Sequence, residues 1–475
     1  CSPTPCAAGR YRSVTSYFSH GVASGDPLPT AVVLWTRLTP VASAKPGSGK
    51  GPRATVSWVV ATDAGLRRVV KKGTSVTSAA TDHTVKIDVT GLAPSTTYHY
   101  AFTYRGTRSP VGTTRTAPAD TATPARLRLG VVSCANYQAG YFSAYRHLAA
   151  QPIDAVVHLG DYIYEYGTGE YAMGKDDVVV RPMDPPHEIL TLEDYRRRHA
   201  LYKTDPDLQR LHRTVPFLCT WDDHESANDA YATGAENHDP TTEGSWTARR
   251  AAAYRAYDEW MPVRLSGTAK VGDGTQIYRR FRFGTLAELS LLDLRSYRNA
   301  PGGTFTDVPR PDAASRTITG PAQLRWLQDG LATTASQWKL VGNPVMIAPV
   351  LVPPLPNQLR DALKDFEGLL PTEGVAYNTD QWDGYTRDRR AVLEFLADHG
   401  ITDTVFLTGD IHSAWACDLP TNPGTYPLST TVATELVCTS ITSNNFKDLV
   451  GAPPQTASKA VVAAIQTANR HVKYL

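Results

Sequence analysis

The sequence lacks the features that mark several special classes of protein. Its 475 residues include only six cysteines, and no stretch approaches the roughly 18 to 20 uninterrupted apolar residues that a membrane-spanning helix needs. An excess of one charge is also missing, because 48 Lys and Arg oppose 46 Asp and Glu and leave a net charge of +2. The few cysteines and the lack of a long apolar stretch argue against a disulfide scaffold and a transmembrane protein. The balanced charge argues against nucleic acid or an anionic bilayer as the main partner.

What is present is the composition of a folded globular protein. Hydrophobic residues make up 41% of the chain and charged residues 20%, and the length is about three times that of a typical single domain. We therefore expect one to three domains with a large core. The chain begins at Cys1 and not at Met, which suggests a processed mature form, and we expect a secreted or extracytoplasmic location.

The first hundred residues show the alternation of short β-strands separated by Gly, Pro, Asp and Ser turns, which is typical of an antiparallel sandwich. Residues 91–100 resemble the turn and strand entry of fibronectin type III domains. We predict a flexible tail at 1–15 and a sandwich module at 16–116. The predicted strands lie at residues 31–35, 54–60, 83–89 and 97–102.

The rest of the chain indicates an α/β domain. Residues 114–124 are rich in Thr, Ala and Pro, so we place a linker at 117–125 and a catalytic domain at 126–475. Apolar strands there alternate with helical patterns, which favours a sheet covered on both faces. The strands are predicted at 128–133, 154–159, 286–294, 338–342 and 404–408, and the helices at 141–150, 192–203, 248–260, 321–331 and 388–399.

Residues able to bind metals follow four of the apolar strands directly. In layered α/β folds the ends of the strands face the crevice in which ligands bind. Each motif alone is a weak signal, but their recurrence at strand ends is not. The four motifs are Cys134, Asp161 with Tyr164, the run Asp222-Asp223-His224-Glu225, and Asp410 with His412.

Taken together, these motifs resemble those of calcineurin-like metallophosphatases. The departures from the common pattern, such as Cys134 at the first ligand position and Asp410 in place of a His, resemble the alkaline phosphatase D family, which includes certain bacterial phospholipases D. The resemblance extends from about residue 16 to the end, and further matches lie at 18–27, 33–37, 292–298 and 382–385. It implies a layered α/β metallophosphoesterase sandwich domain preceded by an all-β, fibronectin type III-like sandwich module.

The resemblance implies two unlike cations. A thiolate, a phenolate, an imidazole and a carboxylate around one ion favour a strongly charged transition metal, and we expect Fe³⁺, as the family also implies. The second ion would have Asp161 as a bridging ligand and otherwise oxygen donors, which suit Ca²⁺, Mg²⁺ or Mn²⁺, and the family implies Ca²⁺. The expected ligands are Cys134, Asp161, Tyr164 and His412 for the first ion, and Asp161, Asp223, Asn343 and Asp410 for the second.

The expected chemistry is hydrolysis of phosphate mono- and diesters by a water that the cations activate. Asp161 and His224 are the predicted catalytic residues, and His224 would protonate the leaving alcohol or hold the phosphate. We also expect Arg295, Trp382 and Tyr385 to bind substrate at the mouth of the site, although surface packing explains these three almost equally well. Substrates would be small-molecule or lipid phosphate esters, with transient membrane-surface contact, and the oligomeric state is left open.

The remaining cysteines and two other functions complete the expectations. Cys417 and Cys438 are the favoured long-range disulfide pair, Cys1 and Cys6 could close a small loop, and Cys219 is expected to be a buried thiol. One alternative is a non-catalytic extracellular binding protein on a relic phosphatase scaffold. The other is a thiol or redox enzyme that uses Cys134.

Overall fold

The structure of the protein is a computed structural model that describes residues 17–272, 276–301, 313–351, 378–445, 448 and 454–475. The predicted flexible tail and the Cys1–Cys6 loop lie outside the described residues. No helix in the described ranges is both long and apolar enough to span a bilayer.

Eighteen strands are present in these ranges: β1 (Val22–Leu28), β2 (Ala31–Arg37), β3 (Ala54–Ala61), β4 (Val69–Thr77), β5 (Thr84–Thr90), β6 (Thr97–Tyr104), β7 (Thr107–Arg108), β8 (Gly112–Arg115), β9 (Leu129–Val132), β10 (Ala155–His158), β11 (Phe217–Cys219), β12 (Arg279–Phe283), β13 (Ala287–Leu291), β14 (Trp338–Asn343), β15 (Thr404–Thr408), β16 (Trp415–Pro420), β17 (Thr431–Val437) and β18 (Val472–Tyr474).

The α-helices of the same ranges are α1 (Ser143–Leu148), α2 (Leu192–Tyr202), α3 (Pro206–His212), α4 (Trp246–Trp260), α5 (Gly320–Thr333), α6 (Thr386–Asp398) and α7 (Pro454–Ala468). Local sequence explains where several of them begin. Thr191 and Asp194 form a capping box at the start of α2, and the Asp205 side chain caps α3, which has proline at its first position.

The strands form three sheets. A six-stranded sheet has the order β5-β2-β1-β11-β10-β9, and a seven-stranded sheet has the order β12-β13-β14-β15-β17-β16-β18. Strands β9, β10 and β11 are parallel, as are β13, β14, β15 and β17. The third sheet has the order β4-β3-β6-β7, with β8 also paired to β6.

The two larger sheets pack face to face through an apolar layer. Val157 of β10 and Leu218 of β11 contribute from one sheet, and Leu289 of β13 and Leu407 of β15 from the other. Alternate residues of the same strands point outward, so Val156 packs under α1 to α4. The outer face of the seven-stranded sheet packs against α5, α6 and α7 in the same way. The order of layers is helices, sheet, sheet, helices.

The amino-terminal segment forms a sandwich that shares a sheet with the rest of the chain. Val32 and Leu34 of β2 pack against Val56 of β3 and Phe102 of β6, so apolar residues of both sheets close one core. Strand β1 also pairs in parallel with β11, across the predicted linker. The sequence did not predict this continuity.

The predicted secondary structure is confirmed in the main. Each of the fourteen strands and helices predicted above overlaps a strand or helix of the same kind, and the strand predicted at 404–408 has those bounds in the structure. The elements that the sequence did not predict include β1, β4, β12, β16, β17 and α3. Strand β1 contains a glycine and a proline and lacks polar alternation, so its pattern resembles that of a loop.

Candidate metal centre

Four strand ends bring the predicted ligands to one place. Cys134 follows β9, Asp161 follows β10, Asp223 follows β11, and Asp410 with His412 follows β15. The first three strands belong to the six-stranded sheet and β15 belongs to the seven-stranded sheet. Because the two sheets face each other, the ends of their strands enclose one crevice from two sides.

The backbone adopts an uncommon conformation at four of these residues. Cys134 has φ of 61°, Asp161 of 54°, Asp410 of 67° and His412 of 54°, all in the left-handed region. For a residue with a side chain this conformation costs about 1 kcal/mol or more, and such residues gather at functional sites. The surrounding hydrogen bonds maintain it: the Cys134 N–H donates to Gly160 O at 3.3 Å.

The donor atoms of the cluster lie within reach of common ions. In each of three groups, one ligand atom per residue lies within 4.8 Å of the others. The carboxylate of Asp161 is common to all three, as a bridging ligand would be. The groups are Cys134 with Asp161 and His412, Asp161 with Asp223 and His224, and Asp161 with Asp222, Asp223 and Asp410.

Tyr164 joins the first of these groups through its hydroxyl. The Tyr164 hydroxyl donates to Asp161 Oδ2 at 3.2 Å and lies 3.4 Å from His412 Nε2. It also accepts a hydrogen bond from Ser443 Oγ at 2.6 Å. The side chain of Tyr164 is fully buried, and its phenol oxygen lies beside Asp161 and His412.

The hydrogen bond of His412 leaves one ring nitrogen free for a metal. His412 Nδ1 lies 2.7 Å from the backbone oxygen of Asn444, which can only accept a hydrogen bond. Nδ1 therefore carries the proton, and Nε2 presents a lone pair to the cluster. Burial lowers the pKa of His412 to about 4, which favours the neutral ring that metals bind.

The donor set fits cations because few positive charges or hydrogen-bond donors lie near its acidic groups. Burial raises the pKa of Cys134, Asp161 and Asp410 well above the ordinary values, and neighbouring carboxylates raise each further. Asp161 Oδ1 and Asp222 Oδ2 are buried without a hydrogen-bond partner in the described part of the chain. Buried, closely spaced acids of this kind need positive charge nearby, and two cations would supply it.

Arg295 supplies part of the positive charge. Its Nη1 donates to Asp380 at 2.8 Å, Nε donates to Asp222, and Nη2 lies 3.5 Å from both Asp223 and Asp410. Only 1% of the side chain is exposed, so Arg295 is part of the cluster and does not lie at a solvent-facing mouth. Nη2 is buried, makes no hydrogen bond in the described residues and lies beside two predicted ligands.

His224 borders the cluster and is held by Glu165. His224 Nδ1 lies 2.7 Å from Glu165 Oε2, and its ring stacks on Tyr164 with 4.1 Å between centroids. Burial alone would lower the pKa of His224, but Glu165, Asp223 and Asp161 outweigh it and raise the pKa well above the ordinary value. The effect is reciprocal. Burial raises the pKa of Glu165, but His224 outweighs burial and lowers the pKa to about 2. The ring is thus held between Glu165 and Tyr164 at the border of the cluster.

Three predicted site residues have other contacts. The Asn343 side-chain oxygen accepts from Trp382 Nε1 at 3.0 Å, and its amide donates to Val345 O and Thr408 Oγ1, so the buried side chain is held by neighbours in the core. Trp382 and Tyr385 have no exposed surface, which contradicts the predicted place at the mouth. Aromatic residues give the same sequence pattern in a protein core as at the mouth of a binding site, so the sequence could not distinguish the two.

The predicted Cys417–Cys438 disulfide is wrong. Both thiols are free, as are those of Cys134 and Cys219. Cys417 lies opposite Glu435 in the β16–β17 ladder, whereas Cys438 follows the end of β17 with its Sγ 3.6 Å from Ser133 Oγ. The register of the two strands therefore separates the cysteines. Cys219 is fully buried, as expected.

Several residues that shape the site were given no role from the sequence. Glu225 accepts hydrogen bonds from the backbone N–H groups of Asp161 (3.1 Å), Tyr162 (2.6 Å) and Asp222 (2.7 Å), and so joins two strand ends. Gln381 Nε2 donates to Asp410 Oδ2 at 2.5 Å. Glu225 belongs to the run Asp222-Asp223-His224-Glu225, so the sequence could have indicated its role. No sequence motif around Gln381 indicates a role for that residue.

Comparisons with known proteins identify related chains. A family model described as "PhoD-like phosphatase" matches residues 129–475, and one described as "PhoD-like phosphatase, N-terminal domain" matches 5–118. Alkaline phosphatase D of Bacillus subtilis (strain 168) is 38% identical over 406 residues, which are 85% of this chain and 65% of that protein. A solved structure titled "Structure of PhoD" superposes with a TM-score of 0.82 at 34% identity, covering 98% of this chain and 83% of the other.

Proposed function

The chain belongs to the PhoD-like phosphatase family, and from that premise we propose that it is a metal-dependent hydrolase of phosphate mono- and diesters. The observation that carries the proposal is the meeting of donors from four strand ends around the Asp161 carboxylate. The chain spans about two thirds of the length of its B. subtilis relative, 65%, so the activity is our inference for this chain.

Two cations fit the donors as follows. Cys134, Asp161, Tyr164 and His412 would hold Fe³⁺, since three anionic donors of mixed softness suit a trivalent transition metal. Asp161, Asp223 and Asp410 would hold Ca²⁺, with Mg²⁺ and Mn²⁺ as the other candidates for an all-oxygen site. When bound, the cations supply a more acidic water and positive charge for the phosphoryl oxygens.

The chain's own residues complete the reaction. Arg295 Nη2 lies 3.5 Å from both Asp223 and Asp410 and makes no hydrogen bond in the described residues, so it can donate one to a phosphoryl oxygen. His224 holds a proton at the border of the cluster and can give it to the leaving alcohol. Glu225 fixes the two strand ends on which Asp161 and Asp222 lie, so the carboxylates keep their spacing.

The proposal extends to architecture and setting. We attribute residues 126–475 to the layered metallophosphoesterase fold and residues 16–116 to a fibronectin type III-like module that contributes β1, β2 and β5 to one of the facing sheets. The two face-to-face sheets and the sandwich core of the first module support this attribution. We further propose that the protein is secreted or extracytoplasmic and takes small-molecule or lipid phosphate esters.

Metal loading and one substitution test the proposed function. We expect chelated protein to be inactive on p-nitrophenyl phosphate and bis(p-nitrophenyl) phosphate, and to recover activity when Fe³⁺ and a divalent cation are returned. In loaded protein, His224→Ala should lower kcat for an alkyl ester such as glycerol phosphate by about 10²- to 10⁴-fold at unchanged metal content, because an alkoxide leaving group depends on a positioned proton donor.

The control is His147→Ala, which removes an exposed histidine of α1 and should leave kcat unchanged. No hydrolysis by loaded wild-type protein would contradict the proposal and favour a non-catalytic binding protein. Unchanged kcat in His224→Ala would remove His224 from the reaction.

A further inference from the structure

The positive charge of the chain is concentrated in its amino-terminal module. Residues 17–116 contain 12 Lys and Arg but only 4 Asp and no Glu, although the whole chain has 48 basic and 46 acidic residues. Three of the four acids are paired with arginines in the structure: Asp26, Asp82 and Asp88. The balanced net charge of the chain therefore conceals a module whose surface carries an excess of positive charge.

One face of the sheet β4-β3-β6-β7 is directed to solvent. Residues that stand opposite each other in antiparallel strands point to the same face, and so do alternate residues of one strand. The other face packs into the sandwich core through Val56 of β3 and Phe102 of β6. The register places six exposed residues on the solvent face, none of them acidic: Thr55, Ser57, Lys72, Thr74, Val76 and Arg108.

Exposed arginines extend the positive charge beyond both ends of these strands. Arg67 and Arg68 lie in the loop between β3 and β4. At the other end, Arg105 lies in the turn between β6 and β7, and Arg53 directly precedes β3. Asp63, the fourth acid of the module, accepts hydrogen bonds from the backbone N–H groups of Arg67 and Arg68 and so lies at one end only.

Exposed valines accompany the basic residues on β4. Val69, Val70 and Val76 are between 43% and 49% exposed. A polyanion in solution gains little from exposed apolar side chains, whereas the headgroup region of a bilayer accepts apolar side chains and cations together. The combination favours an anionic lipid surface. A lysine on an edge strand also discourages pairing with another chain, but that function requires neither the valines nor arginines at both ends.

We propose that the solvent face of this sheet, the docking face, binds anionic lipid bilayers. Its valines would enter the headgroup region, and its Lys and Arg side chains would contact the lipid phosphates. The inference goes beyond the proposed hydrolysis, because the docking face belongs to the amino-terminal module and shares no residue with the metal centre.

Sedimentation of the full chain with lipid vesicles tests the docking face. The vesicles consist of phosphatidylcholine alone or of phosphatidylcholine with phosphatidylglycerol, which supplies negative charge. We expect at least about tenfold tighter binding to the second kind. Raising the salt from about 0.1 M to about 1 M should remove most of this preference, because the screening length falls from about 10 Å to about 3 Å.

Two double variants separate the contributions of charge and apolar surface. Each Lys or Arg near an anionic surface contributes about fivefold in affinity, so Lys72→Gln with Arg108→Gln should bind about 25-fold more weakly. Val70→Thr with Val76→Thr keeps the side-chain shape and the strand propensity but removes apolar surface. We expect it to bind about threefold more weakly or worse, at high salt as well as low.

Arg325→Gln with Arg390→Gln is the matched control, because it removes two exposed charges from α5 and α6. It should bind vesicles as the wild type does. Asp161→Asn should also bind like the wild type, because docking does not depend on the metal centre. The docking-face variants should hydrolyse soluble p-nitrophenyl phosphate at the wild-type rate.

Charge-dependent binding that both docking-face variants weaken is the supporting result. Absence of binding to phosphatidylglycerol vesicles, an equal loss in the control variant, or loss of binding in Asp161→Asn would overturn the inference. Dextran sulfate that binds the protein equally well with and without the valines would indicate a polyanion as the partner and also overturn it. Failure of the loaded protein to hydrolyse phosphate esters would contradict the proposed function alone.

Discussion

Asp161 is the residue on which the site depends most. Its carboxylate belongs to each of the three donor groups, and its Oδ1 has no hydrogen-bond partner among the described residues. We expect Asp161→Asn to lose both cations together, because the bridging charge is removed, and elemental analysis measures this. Asp293→Asn is the control: Asp293 is equally buried but belongs to none of the groups, and its metal content should be that of the wild type. Retained iron in Asp161→Asn would contradict a bridging role.

At the residue scale, the sequence predicted well which side chains come together at the site. It predicted less well which neighbours each of them contacts. Cys134, Asp161 and Asp410 follow apolar strands, and that position alone directs them to the crevice. Trp382 gave no such sign, because an aromatic residue has the same local pattern in a core as at a rim. Asn343 is an example: it follows the predicted strand 338–342 and ends β14, and nothing in the sequence indicated that its oxygen accepts from the Trp382 indole. Contacts of that kind depend on long-range packing.

The strand ends are the element-scale basis of the site, and Gly160 shows how closely they are packed. Gly160 has φ of 113°, and a Cβ placed there would lie 2.4 Å from the Asp222 Cβ and 2.5 Å from its backbone nitrogen. We expect Gly160→Ala to lower the free energy of unfolding by about 2 to 4 kcal/mol, the sum of overpacking and backbone strain, as measured by urea unfolding. Metal affinity should fall as well, since β10 and β11 would move apart.

Gly400→Ala separates the two causes. Gly400 also has positive φ, 60°, but a Cβ there would meet nothing within 4 Å. This variant should lose only about 1 kcal/mol, the cost of the backbone conformation. Equal losses in the two variants would show that the contact between Gly160 and Asp222 does not limit the packing of the strand ends.

Elements were predictable where apolar periodicity was strong and not where it was weak. The strand β15 has an apolar centre and the helix α6 a buried apolar face of Val392, Leu393 and Leu396, and both were predicted within two residues of their observed bounds. The edge strand β4 is mostly exposed and carries Lys, Gly and Ser, so it lacks the buried alternation that marks a strand. Its pairing with β3 supplies the order that its own sequence does not indicate.

At the scale of the whole molecule, the two predicted domains share more than a linker. Arg279 of β12 binds Asp26 of β1 at 2.7 Å, and Lys86 of β5 binds Asp258 of α4 at 2.5 Å, all with little exposure. Removing one partner of a buried pair leaves an uncompensated charge, which is strongly destabilising. Composition placed the boundary near 117–125, but it contains no signal for a sheet that continues across it. We therefore regard the module as part of the catalytic scaffold.

The most direct test of the account is anomalous X-ray diffraction from crystals of the metal-loaded protein. We predict two neighbouring peaks on either side of the Asp161 carboxylate, one beside Cys134 Sγ and His412 Nε2 and the other beside Asp223 and Asp410. An iron-edge signal should distinguish the first from the second. Peaks elsewhere in the molecule, or a single peak without contact to Asp161, would contradict the two-cation site and the phosphoesterase proposal with it.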